Sequence, residues 1–204
     1  MSYREVQHRQ SSANQPIFLL IRQSLQAFQP WNYKMLIRHC QEKDIPTICK
    51  IYNYYIANTI VTFEEMAIDA STVQRRIEST TQQYPWLVCE IDGVVTGYAH
   101  ISQWKEKSAF KKSVESTVYV DINLGGKGYG KALYSALLDL LGELDCHVVV
   151  GAISLPNEAS IGLHEYFGFK KVGHFFEVGF KFGQWVDVGY WQKIIELKGT
   201  VIEK

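Results

Sequence analysis

The sequence predicts a mixed α/β sheet with helices packed on it, and three observations carry that expectation. Short apolar or alternating runs such as "MLIRHC", "WLVCEIDGVVTGYAHISQW" and "HVVVGAI" read as strands. Between them lie segments whose apolar residues recur every three or four positions, the period of a helix with one buried face. The two kinds alternate with no internal repeat, low-complexity tract or interdomain linker, as a single layered domain requires. At 204 residues, 47% of them hydrophobic, the chain is long enough for one sizeable core and short for two.

Taken in order, "MLIRHC" from Met35 is a short strand. "EKDIPTICKIYNYYIANT" is a helix with Asp44 as its N-cap and Ile45, Ile48, Ile51, Tyr52 and Tyr55 on one side. After "VTFEE", a polar helix runs from about Ser71 to Gln83 and is ended by Pro85. Asp92-Gly93 suits a tight hairpin turn between two strands. "STVYVDI" is a further strand, and "YGKALYSALLDLLGEL" is a helix carrying Leu133, Leu137, Leu140, Leu141 and Leu144 along one side. "HVVVGAI" is a buried strand, followed by a helix that Asn157 caps and Gly168 ends. Two aromatic-rich strands on either side of "FGQW" close the domain.

Lys plus Arg and Asp plus Glu number 21 each, so no net field recruits nucleic acid or an anionic membrane. Cys40, Cys49, Cys89 and Cys146 form no CxxC pair and lie in apolar contexts. They read as reduced core residues of a cytoplasmic protein, with neither a disulfide frame nor a metal site. Residues 1–34 are rich in Gln and Ser without a clear period, and form an expected extension outside the domain, with room for a short amphipathic helix over Ile17–Phe28. "PIFLLI" is too short for a membrane span, and Arg22 interrupts it. The domain is expected over 35–197, with a tail at 198–204, and Met35 is a candidate start of the functional chain.

The loop "GGKGYG", Gly125 to Gly130, runs straight from a strand into a helix. Such a junction leaves backbone N–H groups free at a helix N-terminus, where the macrodipole favours an anion, and glycines let a pyrophosphate approach. A flexible strand-to-helix turn is the plainer alternative. The nucleotide P-loop pattern fails, because Lys131 is followed by Ala132, and no acidic residue ends "HVVVGAISL" as a dinucleotide fingerprint demands. A different phosphate-bearing cofactor is implied.

The loop, its preceding strand and "LPNEASIGLHEYFGF" together resemble the GNAT acetyltransferases. "VTF", "YPWLV", "ESTVYV", "LPN", "LHEYFGF" and "GFKFGQWVDVGYWQ" are similar to the phosphinothricin N-acetyltransferases within that superfamily, in order from about Leu36 to Ile194. The resemblance implies a mixed central sheet whose splayed strands bind acetyl-CoA, no metal, a small-molecule amine acceptor and a homodimer. The implied cofactor residues are Val118, Tyr119 and Val120 on the strand; Gly125, Gly126, Lys127, Gly128, Tyr129, Gly130 and Lys131 in the loop; and Asn157 and Ser160 at the next helix. Gly125 stands where the superfamily usually has Gln or Arg.

Acetyl transfer needs a neutral amine, and a carboxylate can take its proton directly or through water. Glu115 matches the glutamate regarded as that base in the phosphinothricin group. His164 occupies the slot where many GNAT enzymes carry a Tyr that protonates the departing thiolate; donation, proton relay and simple packing all remain open for it. Lys105, Lys107, Phe110 and Phe63 match acceptor-binding positions, and Tyr119 is a further candidate wall of the acceptor pocket. Lys107 lacks the fork of arginine, and Phe110 cannot hydrogen-bond. The expected reaction is direct transfer to a small amino acid of the phosphinothricin, methionine sulfone or methionine sulfoximine type. Alternatives are a protein or peptide N-acetyltransferase, and a non-catalytic acyl-CoA-binding regulator.

Overall fold

The structure, a computed structural model, describes residues 34–195. The 1–34 extension (all but Lys34), the helix expected over Ile17–Phe28 and the 198–204 tail lie outside the described residues. Seven strands form one sheet: β1 (Met35–His39), β2 (Trp86–Ile91), β3 (Val94–Gln103), β4 (Ser113–Val120), β5 (Val148–Leu155), β6 (Lys170–Lys181) and β7 (Gln184–Ile194). Their order is β1-β2-β3-β4-β5-β7-β6. Every neighbouring pair is antiparallel except β4 and β5, which run parallel. The helices are α1 (Ile45–Asn58), α2 (Ala70–Thr81), α3 (Tyr129–Leu141) and α4 (Glu158–Tyr166).

Strand alternation sorts the side chains into two cores. Leu87, Cys89, Ala99, Ile101 and Val114 point to the face covered by α3, where Leu133, Leu137 and Leu141 are fully buried. Trp86, Val88 and Tyr98, from the same strands, point the other way and pack with Ile45, Ile48 and Ile51 of α1 and Val73 of α2. The sheet is therefore covered on both sides, and β4 contributes to both.

Local signals explain most boundaries. Asp92 and Gly93 both take positive φ (49° and 87°), the backbone that a two-residue hairpin turn requires. Asn157 Oδ1 accepts from the Ser160 N–H at 3.1 Å, capping α4, and Gly168 (φ 82°) follows its end. The "FGQW" turn has Phe182 and Gly183 at φ 51° and 75°.

Asp44 corrects one expectation. It precedes α1, but its side chain makes no cap; it takes two hydrogen bonds from Arg38, at 2.6 and 2.8 Å, and one from the Gln41 N–H. A guanidinium offers two charge-assisted bonds where a helix N-terminus offers a partial charge, so the ion pair wins the carboxylate. β4 also ends earlier than "STVYVDI" suggests: Ile122 lies in a 3₁₀ turn, Ile122–Leu124, whose preceding Asp121 accepts from the Asn123 N–H. α3 stops at Leu141, before Leu144, which still packs on the core from beyond Gly142.

Candidate active site

β4 and β5 pair only from Ser113–Glu115 to Val148–Val150. Beyond Val150, β5 continues with β7 alone, while β4 continues with β3 as far as Val120 opposite Gly97. The two parallel strands thus part at Glu115, and the β4 edge from Ser116 to Val120 carries no strand on that side. Ser116 closes the vertex: its hydroxyl donates to the Val150 carbonyl (3.3 Å) and meets the buried Tyr134 hydroxyl at 2.7 Å. An extended ligand bearing amides can join such an edge as an added strand. Val118 and Val120 lie on it, and the Val120 carbonyl already accepts the Tyr55 hydroxyl at 2.7 Å.

The glycine loop stands at the far end of this edge. Gly126 and Gly128 take φ 75° and 86°, which L side chains rarely adopt, and Gly128 precedes α3 with no side-chain cap. The first-turn amides of α3 are left for a ligand, at the positive end of the helix dipole. Gly125 has an ordinary backbone (φ −58°), and Gly130 brings the first turn of α3 against Val120. Lys127 lies in the loop before α3, and Tyr129 is the helix's first residue. Lys131 Nζ lies 3.7 Å over the ring of Tyr166, tying its charge to α4. A strand edge that leads to free amides and lysines fits an elongated ligand with an anionic end.

Alternation along β4 puts Glu115, Thr117 and Tyr119 on the face opposite Val114, Ser116 and Val118. Their cross-strand partners on β3 are Ser102, His100 and Tyr98. Glu115 is half-buried; burial pushes its pKa up, and the charge of Lys105 pulls the other way. Two residues along, Thr117 and Tyr119 line a cavity of about 550 Å³ under α1 and α2, together with Tyr52, Trp86, Tyr98 and His100. Arg75 and Arg76 of α2 border it too. His100 stacks on Trp86 at 3.9 Å, and burial lowers its pKa to about 4, so it is neutral at pH 7. Trp86 Nε1 and His100 Nδ1 are buried without a hydrogen-bond partner.

Of the acceptor residues expected from sequence, the structure puts the charge of Lys105 within electrostatic reach of Glu115 without an ion pair, sets its Nζ 5.3 Å over the Trp104 ring, and packs Phe110 edge-on against the same ring at 5.3 Å. Lys107 is exposed at the start of the 3₁₀ turn Ser108–Phe110. Tyr119 joins the cavity wall and packs edge-on with Tyr52 and Tyr55. Phe63 is not among the residues lining the cavity. Its ring covers Gly179 of β6 so closely that a Cβ there would overlap it, and the neighbouring Thr62 carbonyl accepts from the buried Lys181 Nζ at 2.7 Å. Trp86, His100, Tyr52 and Arg76 were not singled out from the sequence. Alternation read across the β3–β4 hairpin points to His100, whereas Arg76 sits on a polar helix face and carries no local signal.

His164 is buried at the other side of the sheet, between Tyr134 and Phe169, with both ring centroids 5.1 Å away. Its Nδ1 lies 2.7 Å from the Ser160 carbonyl. A carbonyl only accepts, so Nδ1 carries the proton of the neutral ring and Nε2 a lone pair. Nε2 is buried, has no partner, and abuts Gly151, the first β5 residue past the parting of the strands. Burial lowers the His164 pKa, although the bond to Ser160 opposes the shift. Asn157 Oδ1 is occupied by its cap, which leaves its amide NH₂ available.

The sequence and the fold resemble those of known proteins. Residues 37–189 match the sequence profile of the acetyltransferase (GNAT) domain. The phosphinothricin N-acetyltransferase of Streptomyces viridochromogenes is 38% identical over 161 residues, covering 79% of this chain and 88% of the relative. The L-methionine sulfoximine/L-methionine sulfone acetyltransferase of Salmonella typhimurium is 36% identical, covering 78% and 93%. The structure superposes with a TM-score of 0.77 on a phosphinothricin acetyltransferase from Sinorhizobium meliloti in complex with acetyl-CoA, at 30% identity over 79% of this chain and 88% of that one.

Proposed function

The chain belongs to the GNAT family of acetyl-CoA-dependent N-acetyltransferases, and on that premise we propose that it acetylates the α-amine of a small amino acid by direct transfer. The observation that carries this reading is the place of Glu115: half-buried at the point where β4 leaves β5, beside Lys105, on the face that runs into the aromatic cavity. The relatives' names add the substrate class, a phosphinothricin or a methionine sulfone or sulfoximine.

Acetyl-CoA supplies the thioester carbon that the amine attacks and the thiolate that leaves. The chain does the rest. The loop amides with Lys127 and Lys131 hold the pyrophosphate, and Val118, Val120 and Asn157 hold the arm that leads to the thioester. Lys105 takes the acceptor carboxylate, and Glu115 accepts a proton from its ammonium so that the nitrogen lone pair is free. The raised pKa of Glu115 makes it a better base than an exposed carboxylate. His164 is a relay: its unprotonated Nε2 accepts a second proton from the nitrogen and returns it to sulfur. The four thiols, none in a disulfide, suit a reducing compartment, the cytoplasm.

A thiol-release assay over methionine sulfone, methionine sulfoximine, phosphinothricin, spermidine and short peptides tests the substrate class. Turnover with one of the amino acids is expected to lead. Faster acetylation of spermidine or of a peptide overturns it. The chain is further proposed to form a homodimer through β6, an edge strand of the sheet, where Phe175, Phe176 and Phe180, with Trp185 of the neighbouring β7, each stand more than half exposed. Light scattering should return twice the 23.4 kDa chain mass; a monomer rejects it.

A further inference from the structure

The cavity beside Glu115 holds a cation that the proposed reaction has not yet used. Arg76 borders the cavity from α2, and its charge is felt by His100 and Tyr98 in the opposite wall. Its guanidinium lies 5.8 Å from the Tyr52 ring centroid, and its Nη1 meets Glu64 Oε1 at 2.8 Å. The Tyr52 hydroxyl donates to the same Glu64 oxygen at 3.0 Å and meets the Thr62 hydroxyl at 2.9 Å. Arg76 is thus held in place by a half-exposed ion pair, while a guanidinium carries five N–H donors in a planar fork. Arg75 differs, being turned along its own helix to the Ser71 and Thr72 hydroxyls. His100 is neutral at pH 7 and adds no positive charge. The remaining walls are aromatic and apolar apart from the hydroxyls of Thr72, Ser79, Thr80 and Thr117, so Arg76 is the cation there suited to meeting an oxyanion.

We propose that Arg76 selects the acceptor by its side chain: the cavity takes an α-amino acid whose side chain ends in charged or strongly polarised oxygens, and Arg76 meets those oxygens while the amine lies at Glu115. This rests on the amino-acid reading of the site and assigns its two ends. Lys105, beside Glu115, takes the α-carboxylate. Thr117 lies two strand residues, about 7 Å, from Glu115, and the cavity opens there, a separation of the order of methionine's side chain. A sulfone, phosphinate or carboxylate would then stand among Arg76 and the aromatic rings. Such a pocket discriminates, because a side chain without oxygens forgoes the charge-assisted bonds that the guanidinium offers.

Methionine sulfone and methionine, which differ by the two oxygens, test this directly. The quantity read is the ratio of their kcat/KM values. The native chain should favour the sulfone at least about tenfold, and Arg76→Met should cut that ratio by about tenfold to a hundredfold, as loss of a charge-assisted bond does. Glu64→Gln, which keeps the guanidinium and frees more of its N–H groups, should preserve the ratio. If Arg76→Met does not fold, Arg76→Lys, which keeps the charge but not the fork, has to lower the ratio instead. An unchanged ratio in the Arg76 variant, an equal loss on both acceptors, or an equal loss of ratio in the Glu64 variant overturns the assignment and leaves the amino-acid reading standing. A native chain that acetylates neither compound nor any other amino acid overturns both.

Discussion

The imidazole of His164 fills the space that a side chain on Gly151 would need: a Cβ built there would overlap Nε2. A glycine on β5 therefore lets the α4 histidine reach the place where β4 and β5 part. Gly151→Ala should destabilise the fold by about 1–3 kcal/mol, the cost of overpacking a filled core. It should also lower kcat by tilting the ring. Combining it with His164→Ala should restore much of the lost stability, because the clash has one cause. Additive losses in thermal unfolding would show that the two residues do not compete for that space.

Glu115→Gln keeps the shape of the side chain and removes the proton acceptor. Its kcat at pH 7 should fall by about 10²–10⁴-fold, with acetyl-CoA binding by calorimetry nearly unchanged. The pH profile adds a sign. Burial raises the Glu115 pKa above the ordinary 4.5, so native kcat/KM should decline on acidification with a midpoint above that value, since the protonated carboxyl cannot accept a proton. That acid limb should be missing from the variant. A variant retaining most of its rate would make Glu115 a positioning residue.

Lys105→Ala tests the same pair from the other side. The lysine charge counters the effect of burial on Glu115, so its removal should move the acid limb to higher pH. The KM for the amino acid should rise while that for acetyl-CoA holds. A limb that stays in place would separate Lys105 from Glu115 in solution.

Arg38 bonds both Asp44 and Glu90, joining β1, β2 and the entry to α1. Asp44 is 3% exposed, so Arg38→Ala strands a buried carboxylate and should cost about 2–4 kcal/mol in urea unfolding. Burial alone would raise the Asp44 pKa, but the Arg38 bonds outweigh it and hold the group below 3.8. The native chain therefore gains stability from Asp44 above its unfolded pKa and loses it as pH falls through the depressed value. The variant should lose far less stability on acidification.

A chain beginning at Met35 should fold and acetylate, since the strand pattern starts at Met35 and the family match at residue 37. Insolubility or loss of turnover would assign residues 1–34 a part in the domain.

What the sequence by itself determined is what short-range chemistry encodes. Asp92-Gly93 adopts a positive-φ backbone that closes so tight a hairpin, and Asn157 caps α4 through an amide three residues away. The β4–loop–α3 junction, with its glycines, is likewise a property of a few consecutive residues. Glu115 could be singled out because the resemblance lies in contiguous motifs around it. The tertiary structure decided what depends on partners far along the chain. Arg38 takes Asp44 away from its helix, and Lys181 reaches the Thr62 carbonyl 119 positions earlier. Phe63 settles on Gly179, whereas Trp86, His100 and Arg76 converge on one cavity from a strand, its neighbour and a helix. Strand register chooses which alternate residues share a face, and only the assembled sheet with helices docked on it sets that register. Even the proton on His164 follows from a carbonyl one helical turn back, which holds Nδ1 and leaves Nε2 facing the parted strands.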